Sequence, residues 1–170
     1  MIANHPGINI REFEPGDAAA FAALNQRWIE DLFDIEESDS KQLGDPQGAI
    51  ISAGGAIVMA LEEGQAIGTG AVVPAHHAPD SRKWWEIIKM ATDPAAQGKG
   101  VGKMVLNRLI LIARERGADA LWLETNDALG SAVRLYESVG FRKLTCEELW
   151  PSPYGRCNVQ MTMEIYKPTV

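Results

Sequence analysis

One short stretch constrains this chain more than any other. Gln97-Gly98-Lys99-Gly100-Val101-Gly102 lies between a segment that reads as a strand, Trp84–Thr92, and one that reads as a long helix, over 101–116. Asp93-Pro94 stops the strand, because a proline disfavours continuation. The helix carries an apolar stripe of Val101, Val105, Leu109 and Ile112, and Gly117 is placed to end it. A strand, a glycine loop and a helix in succession aim the helix's unsatisfied N–H groups at whatever sits before its first turn. Those groups and the helix dipole suit a phosphate or pyrophosphate. The glycines allow positive φ and close backbone approach, and Lys99 and Lys103 add charge. Two familiar phosphate loops do not fit. A P-loop needs Gly-x4-Gly-Lys-Ser/Thr, and a dinucleotide loop needs Gly-x-Gly-x-x-Gly, whereas this is Gly-x-Gly-x-Gly late in the chain. On glycine content alone, a flexible strand-to-helix turn explains the stretch equally well.

The rest of the chain sets the frame around this loop. Strands are expected over 8–13, 56–61, 65–73, Trp84–Thr92, 120–124, 141–147 and 159–166, with Glu63-Gly64 as a hairpin turn. Helices are expected over Ala18–Leu32, capped by Asp17, over 101–116, and over 131–138, capped by Ser131 and ended by Gly140. A short helical or loop region covers the acidic stretch 34–39 and the 44–48 turn. The order β-α-α-β-β-β-α-β-α-β-β implies an α/β sheet with helices on both faces. At 170 residues one domain, 1–170, is expected.

Composition excludes several functions. Sixteen basic and 23 acidic residues give a net charge of −7, which argues against a nucleic-acid footprint. No apolar run approaches the roughly 18 residues of a membrane span. The N-terminus has no basic n-region or apolar h-region, so no secretory signal is expected. Cys146 and Cys157 form no CxxC or Cys/His cluster, so neither a disulfide framework nor a metal site is implied, and a cytoplasmic setting is the default. His76-His77 reads as a solvated loop pair.

Met90-Ala91-Thr92-Asp93-Pro94-Ala95-Ala96, followed by the glycine stretch, resembles the signature segment of the GNAT superfamily of N-acetyltransferases. A second segment is similar to that family's second signature: Leu123-Glu124-Thr125-Asn126, then Ala132-Val133-Arg134-Leu135-Tyr136-Glu137, then Gly140-Phe141. The likeness covers 8–166 in organisation and is specific over 86–142. It implies a small bacterial member of the family. Its fold would be a mixed, mainly antiparallel twisted sheet of six to seven strands with about four helices, splayed where strand Trp84–Thr92 meets strand 120–124.

The resemblance also implies a cofactor site for acetyl-CoA. The backbone of Met90, Ala91 and Thr92 would pair with the pantetheine arm. Gln97, Gly98, Lys99, Gly100, Val101, Gly102 and Lys103 would hold the pyrophosphate, and Asn126 and Ser131 would add contacts. Many family members have Asn seven residues before the tyrosine; here that position is Leu129, and Asn126 lies ten before.

Aminolysis of a thioester needs a neutral amine, donors for the oxyanion, and a proton for the departing thiolate. A backbone N–H near Ala91 could serve the oxyanion. The family uses a tyrosine as the acid, and the matching residue is Tyr136. The same residue also reads as a core aromatic, on a stripe with Leu129, Val133 and Val139. Glu86 and Glu124 are candidate bases, with Glu86 preferred. No Cys or His is placed as a nucleophile, so direct transfer in a ternary complex is expected.

The acceptor groove would draw on Trp28, Tyr154 and Arg156, with Arg27, Asp31, Phe33 and Trp150 nearby. The function expected is acetyl transfer from acetyl-CoA to a primary amine of a small molecule. A protein N-terminal or lysine acetyltransferase and a non-catalytic acyl-CoA sensor are the alternatives. The partners expected are acetyl-CoA and an amine, with neither nucleic acid nor membrane; a homodimer is left open.

Overall fold

A computed structural model describes residues 5–152, 154, 155 and 157–167. The elements are β1 (Ile8–Glu12), α1 (Ala18–Leu32), α2 (Glu37–Gly44), β2 (Ala56–Glu62), β3 (Gln65–Pro74), β4 (Trp84–Thr92), α3 (Val101–Glu115), β5 (Ala120–Thr125), α4 (Gly130–Val139), β6 (Arg142–Lys143) and β7 (Val159–Glu164). This is the order read from the sequence, with a π-helical turn, Gln47–Ile51, added before β2.

The strands form one sheet in the order β1-β2-β3-β4-β5-β7-β6. Every pairing is antiparallel except β4 with β5. The β2–β3 hairpin turns at Glu63 and Gly64, whose φ values of 51° and 80° suit a two-residue hairpin loop. One face of the sheet is covered by α3 and α4. The expected α3 residues Val101, Val105, Leu109 and Ile112 are all buried there, joined by Leu106 and Ile110. The other face is covered by α1 and α2, through Phe21, Ile29 and Leu43 on Ile57, Met59 and Ile88.

Three local expectations change. The strand over 141–147 contracts to Arg142–Lys143, because the chain folds into a 3-10 turn at Cys146–Glu148. Glu148 accepts from Thr145 N at 3.0 Å and pairs with Arg142 at 2.8 Å, which closes that turn. Asp17 precedes α1 but does not cap it; its carboxylate accepts from Glu14 N at 2.8 Å and pairs with Arg11 at 2.6 Å. Ser131 lies inside the first turn of α4, which starts at Gly130 after Leu129.

Two irregularities in β4 shape the site. β4 and β5 pair only at Trp84, Trp85 and Glu86, so their remaining lengths diverge. On the other edge, β4 carries a bulge. Thr69 pairs with Ala91 and Ala71 with Ile88, so Gly70 stands opposite both Lys89 and Met90. A Cβ on Gly70 would come within 2.4 Å of Met90 Sδ, so glycine is what lets Met90 fold over β3. Lys89 takes φ 54°, a left-handed conformation that costs a non-glycine residue about 1–2 kcal/mol.

Candidate active site

A cavity of about 620 Å³ opens where β4 and β5 diverge. Its floor is the free edge of β4, including Met90, Ala91 and Thr92. One end is the start of α3, through Gln97, Gly98, Gly100, Val101, Gly102 and Lys103. Asn126 and Ser131 come in from β5 and α4. These residues, expected together from the sequence, do meet around one space.

The loop geometry follows from local chemistry. Asp93 Oδ1 accepts from Ala95 N at 2.9 Å and starts the turn Pro94–Ala96. Gly98 and Gly100 then adopt φ of 84° and 73°, which glycine takes at no steric cost. Met104 N bonds Gly100 O at 3.1 Å and begins the helical ladder. Among the described residues, the N–H groups of Val101, Gly102 and Lys103 have no protein acceptor, as expected at a helix start. A cavity end lined by these donors, with Lys103 beside them, fits an anionic phosphate group.

Lys99 is placed differently. Its ammonium pairs with Glu62 at 2.7 Å, on the β2–β3 hairpin, and it does not line the cavity.

Tyr136 reaches the same space from α4. Its ring packs edge-on to Phe141, with centroids 6.0 Å apart, so it is both core aromatic and cavity wall. Burial pushes its phenol above the ordinary tyrosine value, helped by the nearby Cys157. The hydroxyl is therefore held protonated. Glu86 lines the cavity at the last position where β4 pairs with β5. Burial, and then the charge of Glu124, push its carboxyl up to about 8, against a smaller opposing pull from Lys89. A carboxyl poised near neutrality suits proton transfer at working pH. Glu124 follows on β5 with both carboxylate oxygens out of solvent, and it too lines the cavity.

The opposite end is built from distant segments. Trp28 and Phe33 line it from α1 and the residue after it, in edge contact with ring centroids 6.5 Å apart. Tyr154 lines it from the loop before β7. Arg156 falls outside the described residues. Arg27 turns away to a partly exposed pair with Asp93 at 3.7 Å. Trp150 is not a cavity residue; it is buried, stacked 4.7 Å from Trp122 and edge-on to Trp84. Gln160 clamps it there, accepting from Trp150 N and donating to Trp150 O, both at 2.7 Å. His77 is exposed, as expected of the loop pair, but one edge packs against Trp122 and Trp150, and that desolvation, with the charge of His76, lowers its pKa.

Three residues escaped the sequence reading. Lys89 is buried in the cavity wall and pairs with the fully buried Asp39 of α2 at 2.6 Å. Cys157 lines the cavity near Tyr136. The signal for Lys89 was a lysine within the apolar run Trp84–Thr92. Asp39, 50 residues upstream, lies in the acidic stretch 34–39, where nothing local marks it as the partner of Lys89.

A family model described as the acetyltransferase (GNAT) family matches residues 16–141. The chain belongs to this family. It is 30% identical over 156 residues to the mycothiol acetyltransferase of Thermomonospora curvata, which covers 86% of this chain and 48% of that protein. It is 41% identical over 70 residues to the [ribosomal protein bS18]-alanine N-acetyltransferase of Salmonella typhimurium, covering 41% of this chain and 47% of that one. The chain thus spans about half the length of the curated relatives it matches. Among solved structures, a GNAT-family acetyltransferase from Staphylococcus aureus superposes with a TM-score of 0.79 at 20% identity, over 92% of this chain and 98% of that one. A Salmonella typhimurium protein solved with its cofactor acetyl-CoA gives 0.76 at 20% identity, over 96% and 97%. At that identity the two structures establish the fold. Among the described residues, no helix is long and apolar enough to cross a membrane, and no three His, Cys, Asp or Glu side chains gather to hold a metal.

Proposed function

We propose that this chain transfers the acetyl group of acetyl-CoA to a primary amine of a small molecule by direct attack within a ternary complex. The observation that carries the reading is the single cavity that joins the α3 donor end, the free β4 edge, Tyr136 and Glu86. The thioester supplies the activated acyl group. The N–H groups of Val101 and Gly102, with Lys103, hold the pyrophosphate. The free edge of β4 takes the pantetheine arm as an added strand, and its N–H groups stabilise charge developing on the thioester oxygen.

Glu86 removes a proton from the incoming ammonium, directly or through water, so that the neutral amine attacks. Tyr136 gives its proton to the departing sulfur, and the extra proton on the acylated nitrogen passes through water to the phenolate, leaving a neutral amide and a restored tyrosine. Burial raises the tyrosine's pKa, so the phenol keeps its proton until a strongly basic thiolate departs. A relative named as a bS18-alanine N-acetyltransferase favours a second reading, transfer to a protein N-terminal amine.

Thiol release from acetyl-CoA with a panel of small amines and peptides tests both. Turnover of small amines supports the first reading, and turnover of peptides alone supports the second. Acetyl-CoA binding without turnover of anything overturns both, in favour of a sensor.

A further inference from the structure

Lys89 is a charged residue where the strand pattern calls for an apolar one. Its side chain is only 4% exposed, and the carboxylate of Asp39 beside it is fully buried. A lysine ammonium has three N–H donors and no acceptor. One goes to Asp39 Oδ1 at 2.6 Å and a second to Tyr154 Oη at 3.3 Å, with the ammonium 5.3 Å from the centre of the Tyr154 ring. No third bond of this ammonium exists among the described residues. The residue lines the cavity. A buried donor left without a partner is costly, and with the side chain this buried the cavity is where a partner can reach it.

The position of the donor is also specific. Lys89 reaches α2, so it lies on the α1–α2 face of the sheet. Glu86 feels its charge from three residues earlier on the same strand. Both residues line the same cavity, so an amine at Glu86 has room to set an atom a few bonds beyond its nitrogen against the Lys89 ammonium. Asp39 already meets the charge of Lys89, so a neutral oxygen is enough to complete the set.

We infer that Lys89 is a specificity residue for the acceptor, its third N–H binding an oxygen close to the reacting amine, so that the substrate class is primary amines bearing a carbonyl or hydroxyl oxygen rather than plain alkylamines. This rests on the amine-acetylation reading above. The bulge and its left-handed φ aim the side chain, while Asp39 and Tyr154 hold it. Lys89 thereby links α2, which does not line the cavity, to the loop before β7, which does.

The test uses the full chain and three acceptors: alaninamide, its oxygen-free isostere 2-amino-3-methylbutane, and a tetrapeptide beginning with alanine. The readout is the ratio of kcat/KM for alaninamide to that for the isostere, compared between wild type and Lys89→Met. Comparing ratios cancels the different basicities of the two amines. The expected result is a ratio lowered about 10- to 100-fold by Lys89→Met, the range for a hydrogen bond to a charged group, and largely retained by Lys89→Arg. The double variant Asp39→Asn/Lys89→Met removes both charges together. It covers the case in which the single variant folds poorly, with acetyl-CoA binding as the check on folding.

An equal loss on both amines, or an unchanged ratio, overturns the specificity role and leaves acetyl transfer standing. Absence of turnover by wild type with every amine, while acetyl-CoA binds, overturns the transferase reading and the specificity with it. A higher kcat/KM for the tetrapeptide than for alaninamide supports the same recognition with the oxygen on a peptide N-terminus; the reverse supports it with the oxygen on a free small molecule.

Discussion

The two ends of the cavity are made in different ways. The donor end is mostly backbone: free N–H groups at the start of α3, two left-handed glycines, and an unpaired strand edge. Its parts are contiguous over about a dozen residues. The acceptor end is mostly side chains, and they come from α1, β4 and the loop before β7, with Asp39 of α2 bracing Lys89 from outside the lining. A backbone site grips a group that never varies, since it depends little on which side chains surround it. A side-chain site can be rebuilt by substitution without touching the fold. One cavity can thus keep its donor while changing its acceptor, and mutations at the two ends should behave differently.

The largest expected effect lies where the two ends meet. Tyr136→Phe should lower kcat by about 10²- to 10⁴-fold, the usual range for losing a general acid. The ring contact with Phe141 is kept, so calorimetric acetyl-CoA affinity and Tm should stay near wild type. Undiminished turnover would remove Tyr136 from the chemistry. At the acceptor end, Asp39→Asn should destabilise the fold by about 3–5 kcal/mol, because it leaves the buried Lys89 charge without its carboxylate. Urea unfolding measures this, and a loss under 1 kcal/mol would mean that the pair is not buried in solution.

Glu86 gives a pH-dependent test of the same junction. Its side chain titrates near 4.5 when free and near 8 in the fold. As a base it works only when ionised, so kcat/KM should rise with pH through about 8. Glu86→Gln should flatten that limb and lower kcat/KM about 100-fold above it. Stability runs the other way. Between 4.5 and 8 the native state holds a proton that the unfolded chain has released, so wild type loses stability as pH rises across that window. Glu86→Gln should therefore melt higher than wild type at pH 9. A limb that survives the substitution assigns the base elsewhere, with Glu124 next in line.

The same contrast explains what could be read from the sequence. The donor end was legible because its signal is local: Asp93-Pro94, then glycines at fixed spacing, then a 3.6-residue apolar period. The element order was legible for the same reason, from turns such as Glu63-Gly64 and stops such as Gly140. Lys89 and Asp39 were not, because the pairing of residues 50 positions apart depends on how α2 lies on β4. Trp150 was placed near the acceptor groove because it shares a loop with Tyr154, and only the fold turns it onto Trp122 instead. The bulge at Lys89 leaves one trace in the sequence, Gly70, but a glycine within a strand does not say which partner residue crosses it.

Lys99 and Lys103 give the smallest effect and the finest cut between the loop as written and the loop as folded. In sequence they are equivalent cations flanking Gly100. In the fold, Lys103 sits in the first turn of α3 and lines the cavity, whereas Lys99 is turned back onto Glu62. Lys103→Ala should raise KM for acetyl-CoA by about 3- to 10-fold, as expected for losing one partly screened contact to an anion. Lys99→Ala should change it by less than about twofold, because its half-exposed pair with Glu62 contributes at most about 1 kcal/mol, and to the hairpin rather than the ligand. Raising the salt concentration should shrink the Lys103 effect and leave the Lys99 effect unchanged. If the two variants weaken binding equally, Lys99 leaves Glu62 when the anion arrives, and the donor end then recruits a side chain in the way the acceptor end does.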